Sequence, residues 1–317
     1  MSALKTPWKT LGKMPCVIPY SQQLFELAYL EDLSLGDVTS QSLPHGERVI
    51  QATGNSRQAG VFSGQEYGNG WIQYLNQKHG YGVLNTESAL DSALDSALTL
   101  DWHVSSGDTI SVGQTLFTLS GSFCQVLMAE RILLNGLQHL CGVATLTHQY
   151  TQALSTSQAK VAHTRKTLAG WRGFEQKAVL DGGGVRHRFN LGMAVMIKDN
   201  HIAAMGGDIA QAIRAVKANN GHTMCIEVEV DSLEQLAVVL AEGVDVVMLD
   251  NFTPQQVKEA VSMIGQQAVI EVSGGITLDT VKAYGEAGAQ VVSTSQMTLG
   301  APPLDIGLDM GLDMDVD

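Results

Sequence analysis

Between Lys160 and Lys198 the chain gathers cations that could hold an anion. Lys160, Arg165, Lys166, Arg172, Lys177, Arg186, Arg188 and Lys198 are eight of its 19 Lys and Arg residues, and the only acids in that window are Glu175 and Asp181. Elsewhere the chain is strongly acidic, and the net charge is -13. A chain that is acidic overall and basic in one segment needs those cations locally, for a small anion. A solvated helix face accounts for Lys160, Arg172 and Lys177. It does not account for cations in a glycine-rich loop or at the end of an apolar run. The loop is DGGGVRHRF (181–189). Glycine admits positive φ and close backbone approach, and the flanking Arg186 and Arg188 suit a planar carboxylate held by two parallel bonds. Taken alone, this loop is explained as well by a helix C-cap with incidental charges. His187 serves a structural hydrogen bond as readily as catalysis. His163 and His201 flank the cluster without metal-ligand spacing, so no zinc site is expected.

Further along, carboxylates and small polar residues follow short apolar runs: Glu227 or Glu229, then Asp250 with Asn251, Ser273 with Gly274 and Gly275, and Ser293 to Ser295. Each alone is weak evidence. Their order suggests an anion pocket, then a Mg²⁺ or sugar-hydroxyl site, then a phosphate cradle.

The elements that must position these groups are legible in the second half. AKVAHT (159–164), AVMIKDN (194–200), CIEVEV (225–230), VDVVMLD (244–250), AVIEVSG (268–274) and AQVVSTS (289–295) read as buried strands. Helical patterns separate them, several beginning at Ser, Thr or Asp and ending at Gly. The last four strands recur about every 20–24 residues, a spacing suited to βα units on a parallel sheet. Six such units predict an α/β barrel, complete or partial, with a doubly wound open sheet as the alternative. A barrel would bring the strand ends to one mouth. The first half reads differently. An amphipathic helix and turn at 21–41 and strand-like runs at 46–66 and 98–121 suggest an α+β domain. Residues 128–154 form a long apolar-periodic helix bridging the two parts. ALDSALDSAL (89–98) is read as an inserted surface segment of no catalytic interest. Fraying is the expectation for the acidic tail from 307.

Composition excludes several classes. A hydrophobic fraction of 44% and a charged fraction of 16% fit a globular protein. No apolar run reaches about 18 residues, so no membrane span is expected, and the first residues lack the apolar core of a secretory signal. Cys16, Cys124, Cys141 and Cys225 form no CxxC pair, which fits reduced thiols in a cytoplasmic protein. The acidic balance argues against nucleic acid.

The motifs HTRKTLAGWR, GGGVRHRFNLG, VMIKDNHI, IEVEVDSLEQL, VVMLDNF and IEVSGGIT occur in that order. With EDLSLGDVTS and AERILLNGLQHLCGVATLT, they resemble the quinolinate phosphoribosyltransferase family over about residues 22–310. The resemblance implies an α/β protein with an N-terminal α+β sandwich domain at 22–130 and an incomplete, TIM-like α/β barrel at 131–300, with 301–312 able to pack back on the first domain. It implies transfer of phosphoribosyl from phosphoribosyl pyrophosphate to quinolinate with decarboxylation, giving nicotinate mononucleotide, pyrophosphate and CO2 for NAD synthesis. It further implies Mg²⁺ and a homodimer with a shared site, in which Arg131 comes from the neighbouring subunit. The quinolinate carboxylates would be held by Arg131, Arg165, Lys166, His187, Arg188 and Lys198, with Thr164 also binding substrate. Lys166, Lys198, Glu229 and Asp250 would be catalytic, with Glu229 and Asp250 addressing ribose hydroxyls and Mg²⁺, directly or through substrate or water. Ser273, Gly274, Gly275, Ser293 and Ser295 would hold phosphate.

Three positions depart from the family pattern: His163 stands for Asp, Ala169 for Pro and Ser295 for Gly. The segment STSQMTLGAPPLDI (293–306) is similar to a molybdenum-transport-associated paralogue of the same fold, which generally lacks the IKDNH motif intact here. A Mg²⁺-dependent enolising enzyme or a Schiff-base aldolase would also use lysine and carboxylates on successive strands, but neither needs TRKT and GGGxxHR together.

Overall fold

A computed structural model describes residues 20–43, 48–79 and 97–310. Most of ALDSALDSAL, Cys16 and the tail beyond 310 lie outside them.

Six short strands build the parallel sheet expected of the second half: β6 (Lys160–Ala162), β7 (Val195–Ile197), β8 (Ile226–Val230), β9 (Val246–Asp250), β10 (Val269–Ser273) and β11 (Val291–Ser293). They pair in the order β6-β11-β10-β9-β8-β7. Each expected strand is present, shortened to its apolar centre. β6 and β7 do not pair, so the barrel is open along one seam. The glycine-rich loop fills that seam. Val185 bridges Ala162 in parallel, and its N–H donates to Val161 O at 2.8 Å. The intervening helices begin as their sequences require. Asp208, Ser232 and Thr253 each accept the backbone N–H three residues on.

In the first half, β1 (Val49–Ser56), β3 (Thr99–Trp102), β5 (Thr115–Ser122) and β12 (Ile306–Met310) form an antiparallel sheet in the order β12-β1-β5-β3, and β2 (Gly60–Val61) pairs with β4 (Thr109–Ile110). Residues 307–310, where fraying was expected, form most of β12 and pair with β1. The apolar run LDIGL lets the chain bury Ile306 as the edge strand is added. A helix at Gln65–Lys78 also escaped the strand-like reading of 46–66. Two internal glycines obscure its pattern, but they let Trp102 and Phe25 pack against its backbone.

The helix Phe123–Ala153 joins the halves and crosses the expected boundary at 130/131. Ser122 and Gln125 close its first turn as a capping box. On its early turns Ala129 O and Ile132 O accept from Trp71 and Tyr67 of the first half. On its later turns it packs on the barrel helix Arg172–Asp181. Aromatic rings continue the joint: Tyr67 stacks on Trp171 at 5.2 Å and meets Phe174 edge-on at 5.3 Å. Lys177 binds both Glu66 and Asp181, and Asp181 accepts from Ser63. Lys177 is therefore an inter-domain tie rather than a surface charge.

Close approach also fixes the return of the chain to the first sheet. A Cβ on Gly142 would lie 2.1 Å from Pro302 O. Gly142→Val should lower stability by about 1–3 kcal/mol through overpacking, read as a fall in the urea midpoint. Gly221→Ala, where nothing lies within 4 Å, should leave the midpoint within about 0.5 kcal/mol.

Candidate active site

Thr164, Arg165 and Lys166 leave β6 in a turn held from several sides. Thr164 Oγ1 accepts the Lys166 N–H at 3.1 Å, and Thr298 Oγ1 donates to Lys166 O at 2.7 Å. Arg172 is not a free surface charge. It donates to Thr167 Oγ1, Arg165 O and Phe189 O, tying this turn to the glycine-rich loop. Glu175, fully buried, accepts the Leu168 N–H at 3.2 Å and faces His139 Nε2 at 2.8 Å. Ala169 is exposed, beside Gly170 at φ 81°. Lys160 is exposed.

His163 directly follows β6, buried with no exposed surface. Its Nε2 accepts the His187 N–H at 3.2 Å, so the proton of the neutral ring sits on Nδ1. Nδ1 lies 3.3 Å from the Gln176 amide nitrogen, and turning that amide by 180° puts its oxygen there as the acceptor this tautomer requires. Burial, aided by the charge of His187, holds His163 down at about 3. A residue of this type at the position serves the fold as a neutral acceptor.

His187 stands opposite. Its Nε2 lies 3.3 Å from Glu271 and 3.5 Å from Glu227. Burial pulls its pKa down, but the two carboxylates outweigh burial and push it up to about 10. Burial, and then Glu271, raise Glu227 in turn. The cluster therefore retains a proton at neutral pH. Nδ1 accepts the Arg188 N–H at 2.7 Å, which keeps that proton on the carboxylate side of the ring. Arg188 donates to Ala194 O at 2.9 Å, and burial and then Arg165 lower its pKa. Arg186 points to solvent.

Lys198 directly follows β7 and pairs with Glu229 of β8. Asp250 ends β9, its pKa raised by burial and then by Glu229, against the opposing charges of Lys198 and Lys166. Asp250 lies in register with Ser273 of β10. A cleft of about 320 Å³ opens here, lined by Thr164, Lys166, Asp250, Ser273 to Ile276 and Ser293 to Gln296. Its floor needs glycine: Gly274 has φ 93°, and a Cβ there would meet Asn251 Oδ1 at 2.3 Å. Asn251 itself has φ 58° and donates to Asp250 at 2.7 Å. Ser293 Oγ is buried without a hydrogen-bond partner, and Ser295 lines the same cleft.

All the expected site residues except Arg131 thus gather at one end of the barrel. Arg131 lies on the early part of the helix Phe123–Ala153, 61% exposed, with Glu130 as its ion-pair neighbour at 3.6 Å. The sequence reading missed Glu271, and it left Glu227 as an alternative to Glu229. The available signal was an acid inside an apolar strand, two residues before a mouth residue and so on the same face.

Two family models match. Quinolinate phosphoribosyl transferase, N-terminal domain, covers residues 37–141, and Quinolinate phosphoribosyl transferase, C-terminal domain, covers 143–309. The chain belongs to the quinolinate phosphoribosyl transferase family. Relatives in this family include the probable nicotinate-nucleotide pyrophosphorylase [carboxylating] of Bacillus subtilis, 36% identical over 92% of this chain and 93% of that one. The nicotinate-nucleotide pyrophosphorylase [carboxylating] of Mycobacterium leprae is 35% identical over 93% and 99%. The solved nicotinate-nucleotide pyrophosphorylase of Francisella tularensis superposes with a TM-score of 0.80 at 28% identity, covering 95% of this chain and 99% of that one. The incomplete barrel with an N-terminal domain is the architecture these matches share.

The buried neutral imidazole has a pH consequence. The folded pKa of His163, about 3, lies below the ordinary value of about 6.5. Its contribution to stability is complete above about pH 6.5 and is lost as pH falls toward 3. His163→Gln should flatten the fall of the urea midpoint between pH 6.5 and 4. An unchanged slope would show that His163 is not held neutral.

Proposed function

We propose that this protein transfers phosphoribosyl from phosphoribosyl pyrophosphate to quinolinate with decarboxylation, releasing nicotinate mononucleotide, pyrophosphate and CO2. The observation that carries this reading is the division of one barrel mouth into two halves. Arg165 and Arg188 form a cationic half beside the open seam, with His187 between Arg188 and two buried acids. Lys166, Asp250, Ser273 to Gly275 and Ser293 to Ser295 form a polar cleft on the opposite strands. The first suits a planar dicarboxylate, the second a sugar phosphate.

The chemistry follows from this placement. Arg165, Arg188, His187 and Thr164 hold the pyridine carboxylates so that the ring nitrogen faces the anomeric carbon. The nitrogen–carbon bond forms as the bond to pyrophosphate breaks, and pyrophosphate leaves with the electron pair. Glu229 and Asp250 stabilise the positive charge that develops on the ribose. Loss of CO2 leaves an electron pair on the ring carbon next to the new ring cation. Lys166 and Lys198 stabilise that charge before protonation. Asp250 and Glu229 offer hard carboxylate oxygens of the kind Mg²⁺ takes alongside substrate phosphates. With Glu229 already paired to Lys198, Asp250 is the freer ligand. When bound, Mg²⁺ neutralises the leaving pyrophosphate.

The active unit is a homodimer in which Arg131 completes the partner's acceptor site. Exposed Leu27, Leu30, Leu35, Leu168, Leu191 and Met193 support a covered subunit surface. Among the described residues, no helix is long and apolar enough to cross a membrane. Among the described residues, the free thiols of Cys141 and Cys225 support a cytoplasmic setting.

Incubation with quinolinate, phosphoribosyl pyrophosphate and Mg²⁺ should yield nicotinate mononucleotide, and chelation should abolish it. Absence of product at saturating substrate would move the protein to the molybdenum-associated paralogue. Arg165→Ala and Arg188→Ala should each raise the quinolinate KM about 10- to 100-fold, the loss of charged hydrogen bonds; near-normal turnover in both would sink the acceptor assignment. Arg131→Ala and Lys166→Ala should each be inactive alone and regain activity when their subunits are mixed. No recovery would place Arg131 outside a shared site.

A further inference from the structure

Behind the cationic half of the mouth lie two acids to which the reaction above gives no task. Glu227 in β8 and Glu271 in β10 are each 4% exposed. An ionised carboxylate in such an interior is costly without a counter-charge. Each stands two residues before a mouth residue, Glu229 or Ser273, and so on the same strand face, one layer deeper. Both converge on the His187 ring at Nε2. Glu271 reaches Nε2 with Oε1 at 3.3 Å and Glu227 with Oε2 at 3.5 Å, and both contacts favour a proton on that nitrogen.

The ring is held on every side. Nδ1 accepts the Arg188 N–H at 2.7 Å, and the His187 backbone N–H is taken by the neutral His163 at 3.2 Å. Arg188 then spans to Ala194 O and Met196 Sδ, at the start of β7. The charged groups facing this unit are Glu227 from β8, Glu271 from β10, and Arg165 from the turn after β6. Arg165 and Arg188 repel each other. Arg188 is held against that repulsion by Ala194 O and by the charge of Glu227.

We propose that Glu227 and Glu271 are positioning residues of the acceptor site: buried carboxylates that fix the His187 ring at Nε2 and, through the bond of Nδ1 to the Arg188 backbone, preorganise Arg188 for the incoming dicarboxylate. The inference rests on the quinolinate reading. It assigns the acids no contact with substrate. Their effect must therefore pass chiefly through His187, with a direct charge effect of Glu227 on Arg188, and fall on one substrate only.

The test uses Glu227→Gln and Glu271→Gln, each alone and combined with His187→Asn. Quinolinate binding is measured by calorimetry, and steady-state constants are measured for both substrates. Each single variant should raise the quinolinate Kd and KM at least about tenfold, equivalent to ~1.4 kcal/mol, with the phosphoribosyl pyrophosphate KM within about twofold. In the His187→Asn background the same substitutions should add little, because the three residues act as one unit. Three results would overturn the proposal: an unchanged quinolinate KM, an equal rise for both substrates, or full additivity with His187→Asn. A second measurement uses the unaltered protein and so does not depend on the variants folding. Ring nitrogen NMR at one neutral pH, assigned by through-bond correlation to the His187 backbone, should find the proton on Nε2. A bare or metal-bound Nε2 would overturn it. Failure of the unaltered protein to bind quinolinate would instead refute the functional reading, leaving the ring measurement to decide the inference by itself.

Discussion

Like charges gathered in a partly buried site repel. Two cations 4 Å apart interact by about 4 kcal/mol at the effective dielectric of a protein surface. Arg165 and Arg188 feel this directly, since Arg165 lowers the pKa of Arg188. The barrel meets the repulsion from inside. Glu227 and Glu271 sit one layer below the cations and bind His187, and Glu229 pairs with Lys198. Lys198 is thus backed by an acid and Arg188 by a main-chain oxygen. That arrangement lets a chain of net charge -13 present a positive pocket to a small anion.

The open seam of the barrel is the second constraint. A closed ring of strands would pair β6 with β7 and leave no place for a loop. Here they stay apart, and the segment from Gly182 to Phe189 runs between them, bonded to Val161 on one side and to Ala194 on the other. The glycines permit the approach. A Cβ on Gly182 would lie 2.4 Å from Ala144 O, and Gly183 has φ 89°. The long helix therefore sets where the loop can lie, and the loop sets where His187 and Arg188 project. The N-terminal half serves the site at one remove, by clamping that helix through Trp71, Tyr67 and the Lys177 tie.

The polar half of the mouth is built by a different rule. Gly274 and Asn251 share one tight contact, each at positive φ, and so draw the ends of β9 and β10 together. Asp250 and Ser273 then face one cleft, with Ser293 opposite. Backbone curvature shapes the phosphate side, whereas ion pairing shapes the acceptor side. Ser295, a departure from the family pattern, still lines the cleft.

Much of this was legible in the residues themselves. Apolar runs of strand length separated by capped helices dictate βα units, because periodicity and capping are local properties of the chain. The cations of the TRKT and GGGVRHRF segments and the small residues near 274 and 293 announced anion binding by type and spacing. The pairing of β12 with β1 and the gap between β6 and β7 were not legible, since both depend on contacts between residues far apart in the chain. Nor could the sequence separate Arg172, which ties two loops, from Lys160, which does not, because exposure is decided by what packs on a side chain. Glu271 was hidden for the same reason. An acid within VIEVS breaks an apolar pattern but does not reveal its partner. Only the closed curvature of the sheet brings Glu227, Glu271 and His187 to one point, across 84 residues of sequence, where a buried charge can be balanced.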